Sequence, residues 1–276
     1  MAVVLVTDSS ASIPPATAHE LGIHVAPLHV LVGDRDLRDG IDDIPSDLSS
    51  ATTSGAAPGE LEEVYGRALE ASGGDGVLAV HLSRQLSGTW KAGTVAADAF
   101  AGQVRLVDSR AVALGLGFPV VAAARAARAG MGIDDLFDRT VAHLTESRVF
   151  VTVDRLDQLR RGGRIGTAAA LLGTALSMKP VLHLDDGRLQ LLEKTRTSTK
   201  ALAKMIDRVV AAVHERPVSL AVQHVLGDEH ADFVADELRT RVGTAVDLVV
   251  CDIGAVLAAH VGAGAVGVAV SPEPTD

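Results

Sequence analysis

The stretch Val153–Leu202, VDRLDQLRRGGRIGTAAALLGTALSMKPVLHLDDGRLQLLEKTRTSTKAL, organises the reading of this 276-residue chain. A basic turn with two glycines (Arg160, Arg161, Gly162, Gly163, Arg164) leads into an Ala/Leu helix. Two extended runs follow, Pro180–Leu184 and Leu189–Glu193, joined by Asp185-Asp186-Gly187. Asp-Gly between apolar runs is a hairpin signal. The stretch closes on a second cationic element, Lys194-Thr195-Arg196. Arginine-bearing loops that flank an apolar helix suit an anion or the surface of a partner, because the guanidinium fork matches phosphate and carboxylate.

Upstream of this stretch, strand and helix signals alternate. Val3–Thr7, Gly76–Leu82 and Val104–Val107 read as short strands, and Ile23–Val32 as one extended run. Ser12 with Pro14 and Pro15 opens a helix that ends near Gly22. Pro58–Ala71, Ser87–Ala101, Arg110–Gly130 and Ile133–Thr145 read as further helices. Such alternation predicts a parallel sheet covered on both faces. Downstream, strands at Val149–Val153, Val218–His224 and Val246–Cys251 mix with the hairpin and with helices at Ser198–His214 and Glu229–Val242. The expected fold is therefore α/β with two domains. Residues 1–148 are expected to form a parallel α/β domain and residues 149–276 a mixed one, with a cleft at their interface, where small-molecule sites tend to form.

Composition narrows the function. Hydrophobic residues make up 47% of the chain and aromatic ones only 3%, so the core is aliphatic. An aliphatic interior suits ordinary packing and a long alkyl ligand equally. A formal net charge of −10 argues against a nucleic-acid binder, whose affinity comes from cations meeting phosphates. It argues equally against attachment to anionic membranes by charge. The single cysteine, Cys251, permits no disulfide framework or cysteine-rich zinc site. The opening MAVVLVTDSS lacks a basic n-region, so no signal peptide is expected and a cytoplasmic location fits. Ile253–Val270 runs 18 residues without a charge, but its four glycines and His260 read as core loop and strand rather than a span.

Several short motifs carry polar chemistry. Asp8-Ser9-Ser10 follows the first strand and either faces a ligand or caps the next helix. Thr52-Thr53-Ser54-Gly55 precedes the helix opening at Pro58, and Leu86-Ser87-Gly88-Thr89 precedes the helix that includes Trp90. Each sets a hydroxyl and free N–H groups at a helix N-terminus, which serves either as a plain cap or as a carboxylate or phosphate site. His260 lies in His260-Val261-Gly262-Ala263-Gly264 and is either a core histidine or a ligand-facing one. Residues 262–267 spell GxGxxG, but the motif follows no first strand and opens no helix, so it is not a dinucleotide fingerprint.

In order along the chain, these elements resemble the DegV family of fatty-acid-binding proteins. The resemblance runs through Asp8-Ser9-Ser10, Asp39-Gly40, Thr53-Ser54, Leu86-Ser87-Gly88-Thr89 and Val107-Asp108-Ser109-Arg110. It continues through Gly162-Gly163-Arg164-Ile165, Lys179-Pro180-Val181-Leu182, Lys194-Thr195-Arg196 and His260-Val261-Gly262-Ala263-Gly264. Gly55-Ala56 stands where the family has Gln-Pro, Ala263 where it has Pro, and Trp90 where Tyr is common. The resemblance implies a carrier without chemistry or cofactor of its own, which holds one long-chain fatty acid in an aliphatic ligand tunnel at the interface of its two domains. Thr53, Ser87 and His260 would hold the carboxylate, on loops that include Ser54, Gly88, Thr89 and Gly262. Arg164 and Arg196 would face the phosphate or the kinase. The partner would be a dihydroxyacetone-kinase-like fatty acid kinase, to which ATP and magnesium belong, feeding phospholipid synthesis. Neither nucleic acid nor stable membrane insertion is expected. Two rivals remain from the residues themselves. One is a lipid hydrolase or thioesterase with Ser87 as nucleophile and His260 as base. The other is a ligand-free regulatory module that acts through Arg161 and Arg164.

Overall fold

A computed structural model describes residues 2–165, 178–213 and 216–273. The Ala/Leu helix expected after Arg164 lies outside the described residues. The elements are, in order, strand β1 (Val4–Asp8), helix α1 (Pro15–Leu21), β2 (His24–Ala26), β3 (His29–Val32), β4 (Arg35–Arg38) and β5 (Thr52–Ser54). Next come α2 (Pro58–Ser72), β6 (Val77–His81), α3 (Thr89–Ala97), β7 (Val104–Asp108), α4 (Leu114–Arg128) and α5 (Ile133–Glu146). The remainder comprises β8 (Arg148–Thr152), α6 (Asp157–Arg161), β9 (Lys179–Asp185), β10 (Arg188–Thr195), α7 (Ser198–Ala212), β11 (Val218–His224), α8 (Asp228–Arg241), β12 (Ala245–Asp252), α9 (Ala255–Val261) and β13 (Val266–Pro272).

The N-terminal part carries a parallel four-stranded sheet, ordered β2-β1-β6-β7. Every residue of β6 is buried, as a central parallel strand covered on both faces requires. Ile23–Val32 does not form one strand. Pro27 lacks a ladder donor, and the run divides into β2 on this sheet and β3 on a small antiparallel sheet ordered β4-β3-β5. That small sheet carries Thr53, which pairs with Val30.

The C-terminal part carries a mixed six-stranded sheet, ordered β10-β9-β8-β13-β11-β12, in which only β11 and β12 run parallel. The hairpin at Asp185-Asp186-Gly187 forms as expected, with Asp186 at φ 45° and Gly187 at φ 77°. Its tip reaches the N-terminal sheet: Ser83 Oγ donates to the Gly187 carbonyl at 2.8 Å, and Arg110 pairs with Asp186 at 2.9 Å. α7 and α8 bury Met205, Ile206, Val234 and Leu238 against one face of the six-stranded sheet. The opposite face turns to the N-terminal part. There α4 meets Val149 so closely that any side chain at Gly115 would strike it.

Ile253–Val270 holds a helix that its glycines had disguised as core loop. Gly254 (φ 79°) and Gly262 (φ 79°) are the N-cap and C-cap of α9, so two glycines bound a helix rather than break one. Val256 and Ala259 of α9 are buried in the N-terminal core.

Candidate fatty-acid site

A cavity lies between the inner face of the six-stranded sheet, the N-terminal loops and α9. About 970 Å³ of non-atom space lies within it, open mouth and adjoining solvent included. Leu28, Leu82, Leu86 and Ala113 come from the N-terminal part, Val149 and Val151 from the sheet, and Val256 and Leu257 from α9. Among its described walls the polar side chains are Thr53, Ser54, Ser87, Arg164, His260 and Gln223.

Five of these belong to four linked elements. Thr53 Oγ1, at the middle of β5, shares a hydrogen bond of 2.8 Å with His260 Nε2 on α9. Ser87 Oγ accepts from the Thr89 N–H at 3.2 Å and shares a 2.9 Å bond with Thr89 Oγ1, so it sits over the first turn of α3. That turn presents the positive end of the helix dipole. Gly55 brings β5 against this turn: a Cβ there would stand 2.6 Å from Thr89 Oγ1 and 3.2 Å from Ser87 Oγ. The glycine that replaces the family's Gln therefore permits a closer approach than any side chain would. Arg164 closes the third side. Its Nε donates to the Leu86 carbonyl at 3.0 Å, and its Nη1 donates to the Gly162 carbonyl.

His260 is largely buried, and burial lowers its pKa from 6.5 to about 4, with the nearby Arg164 guanidinium adding to the effect. The imidazole is therefore neutral at physiological pH and offers a hydrogen bond rather than a charge. The glycines of two distant motifs make this arrangement possible. A Cβ at Gly162 would lie 2.7 Å from His260 Nδ1, and a Cβ at Gly262 would overlap the Gln158 side chain.

Asp8-Ser9-Ser10 does not line this cavity. Asp8 is fully buried; it accepts from Ser10 Oγ (2.5 Å), from His81 Nδ1 (3.0 Å) and from the Leu82 N–H (3.0 Å). His81 Nε2 in turn bonds Tyr65 Oη at 2.7 Å. The network fixes the end of β6, from which the Ser87 loop departs. Asp39-Gly40 has a role the sequence did not disclose. The buried Asp39 carboxylate accepts from the Ala255 and Val256 N–H groups, and so caps α9, the helix that carries His260.

Arg196 is exposed just beyond β10 and is not among the described walls of the cavity. Ser87 and His260 share no hydrogen bond, since Ser87 bonds Thr89 and His260 bonds Thr53. The hydrolase reading thus lacks its nucleophile–base contact.

Residues 2–273 match the sequence profile described as "Uncharacterised protein, DegV family". The chain belongs to the DegV family. A DegV domain-containing protein of Mycobacterium tuberculosis is 48% identical over 272 residues, which cover 98% of this chain and 97% of that one. Among solved structures, the DegV family protein Cg2579 of Corynebacterium glutamicum superposes with a TM-score of 0.89 at 33% identity, covering all of both chains. A DegV family protein of Thermus thermophilus, described as binding fatty acid, superposes with a TM-score of 0.93 at 30% identity, covering 99% of this chain and 100% of that one. No helix among the described residues is long and apolar enough to cross a membrane.

Proposed function

We propose that this DegV protein is a carrier that holds one long-chain fatty acid in the cavity between the six-stranded sheet, the N-terminal loops and α9. The carboxylate meets Thr53, Ser87 and His260, within the loops of Ser54, Gly88, Thr89 and Gly262, and the acyl chain runs along the aliphatic walls. The observation that carries this reading is the segregation of the walls, with hydroxyls, imidazole and guanidinium gathered on four linked elements and aliphatic side chains over most of the rest. The fatty acid bound by the Thermus thermophilus relative supports it. Burying roughly 14 methylenes at about 0.8 kcal/mol each supplies on the order of 11 kcal/mol before ordering costs. The tail thus provides affinity, and the neutral head-group ligands need only orient the carboxylate.

In this reading the protein works in the cytoplasm and catalyses nothing itself. It offers the carboxylate to a dihydroxyacetone-kinase-like fatty acid kinase, whose ATP and magnesium make the acyl-phosphate for phospholipid synthesis. Arg164 serves the phosphate at the site, and Arg196 serves the kinase at the surface. We also read residues 1–148 and 149–276 as two domains that clasp the ligand.

Native mass spectrometry of protein purified without detergent, followed by lipid extraction, tests the carrier role. One fatty acid per chain is expected, with weaker retention in Ser87→Ala and Thr53→Ala. A bare protein that also refuses added palmitate and oleate would overturn it.

A further inference from the structure

Gln223 is the one polar side chain of the described cavity walls that stands apart from the head-group elements. It lies on β11 and is only 3% exposed. Its pairing places it beside Gly267 of β13, which pairs onward with Val151 of β8. These three residues share one row on the inner face of the sheet, and all three line the cavity. Gly267 puts no side chain into that row, so a lane runs from Val151 to the amide.

The amide is half used. Its Oε1 accepts from the Leu114 N–H at 2.9 Å and so holds the first turn of α4. A backbone N–H can only donate, which fixes the oxygen on that side and the NH₂ on the other. The NH₂ group has a single described partner, the Cys251 sulfur at 3.8 Å, a weak acceptor. Capping α4 explains the oxygen and leaves two amide hydrogens with one poor acceptor. Buried donors are rarely left so. An apolar residue elsewhere in this wall, such as Ala269 one row away, carries no such cost.

We infer that Gln223 forms a polar subsite within the acyl cavity, which takes a long-chain fatty acid bearing a hydroxyl along its chain. The inference rests on the carrier reading above and adds the class of acyl chain. A hydroxyl fits both unused functions: it accepts from Nε2 and donates to the second lone pair of Oε1. A plain chain in the same place would keep the amide from water and give it no partner. A site built to bond a hydroxyl discriminates against the analogue that lacks one.

The test compares stearic acid with a positional series of monohydroxystearic acids, titrated into delipidated wild-type protein and Gln223→Met. Wild-type protein is expected to bind one position of the series roughly fivefold to tenfold more tightly than stearic acid. Gln223→Met should lose the preference, binding the hydroxy acids no more tightly than it binds stearic acid. Since the substitution also strips the partner from Leu114, side-chain amide NMR of the wild-type protein provides a second readout. The Gln223 NH₂ resonances should shift further with the preferred hydroxy acid than with stearic acid. Equal affinity for every acid of the series, a preference that survives Gln223→Met, or amide resonances indifferent to the hydroxyl would overturn the subsite while leaving the carrier reading intact. Failure of wild-type protein to bind any of the acids, stearic included, would remove the carrier reading and the subsite with it.

Discussion

His260 should make the protein acid-sensitive in a window that the structure defines. Its pKa falls from 6.5 to about 4 on folding, chiefly through burial and secondarily through Arg164. Between these values the unfolded chain takes a proton that the folded chain refuses. Stability therefore falls as pH drops through 6.5 and levels off below about 4. At about 1.4 kcal/mol per pH unit, the gap is worth on the order of 3 kcal/mol, a large share of a typical folding free energy. His260→Gln retains a donor toward Thr53 and removes the titration. Other histidines also shift, His29 upward and His24, His143 and His183 downward, but they are common to both proteins and cancel in the difference. Urea unfolding of both proteins from pH 7.5 to pH 4 measures it. Wild type should lose about 3 kcal/mol more than His260→Gln across that range. A stability difference that stays constant from pH 7.5 to 4 would refute the burial of a neutral imidazole, and with it the view that the head-group site offers a hydrogen bond instead of a charge.

Two substitutions away from the head-group ligands should also act on the site. Asp39→Ala removes the cap of α9 and should cost about 1–2 kcal/mol in urea unfolding; because α9 carries His260, fatty-acid affinity should fall as well, and unchanged affinity would mean α9 needs no cap. Gly55→Ala drives a methyl to within 2.6 Å of Thr89 Oγ1, so β5 must retreat; a loss of about 1–3 kcal/mol and weaker binding by calorimetry are expected, and an unaltered protein would show that the contact relaxes without cost.

The parallel N-terminal sheet was legible because β1 and β6 are continuous aliphatic runs closed by turn residues. The hairpin was legible because Asp186 and Gly187 supply the positive φ values that only such residues tolerate readily. The small sheet was not. Arg35–Arg38 and Thr52–Ser54 are polar edge strands with no apolar alternation, and Pro27 hides inside what looks like one strand. α9 was concealed for the opposite reason, since its apolar residues and flanking glycines suited a buried loop equally well. At the site, Thr53, Ser87 and His260 were visible as hydroxyls and imidazole beside turns, but nothing local links residue 53 to residue 260. The cap role of Asp39, named only as part of a motif, and the whole of Gln223 were missed for the same reason. Each satisfies backbone N–H groups far along the chain, Asp39 at Ala255 and Gln223 at Leu114, and the sequence shows the acceptor without the donor it serves. A lone amide directly after the apolar Leu220-Ala221-Val222 was the signal available for Gln223.

The pairing of Gly162-Gly163-Arg164 with His260-Val261-Gly262-Ala263-Gly264 now has a mechanical explanation. Gly162 leaves room for the His260 ring, Gly262 for the Gln158 side chain, and Gly264 for Asp154, whose carboxylate would stand 2.7 Å from an added Cβ. Each glycine thus makes space for a side chain of the opposite segment, so the α6 loop and the end of α9 fit as one interlocked body. Asp154 extends that body by accepting from Lys179 Nζ at 2.6 Å, which ties in the start of β9. Arg164 extends it in the other direction, to Leu86 and the Ser87 loop. In the proposed carrier a carboxylate entering the site would therefore meet ligands whose backbone is already fixed by packing, and little of the acyl chain's binding energy would be spent on ordering the protein. Loss of Gly162 would act on His260 directly, whereas loss of Gly262 would act on it through Gln158 and α6. Both should weaken head-group binding although neither glycine has a polar side chain to offer the ligand.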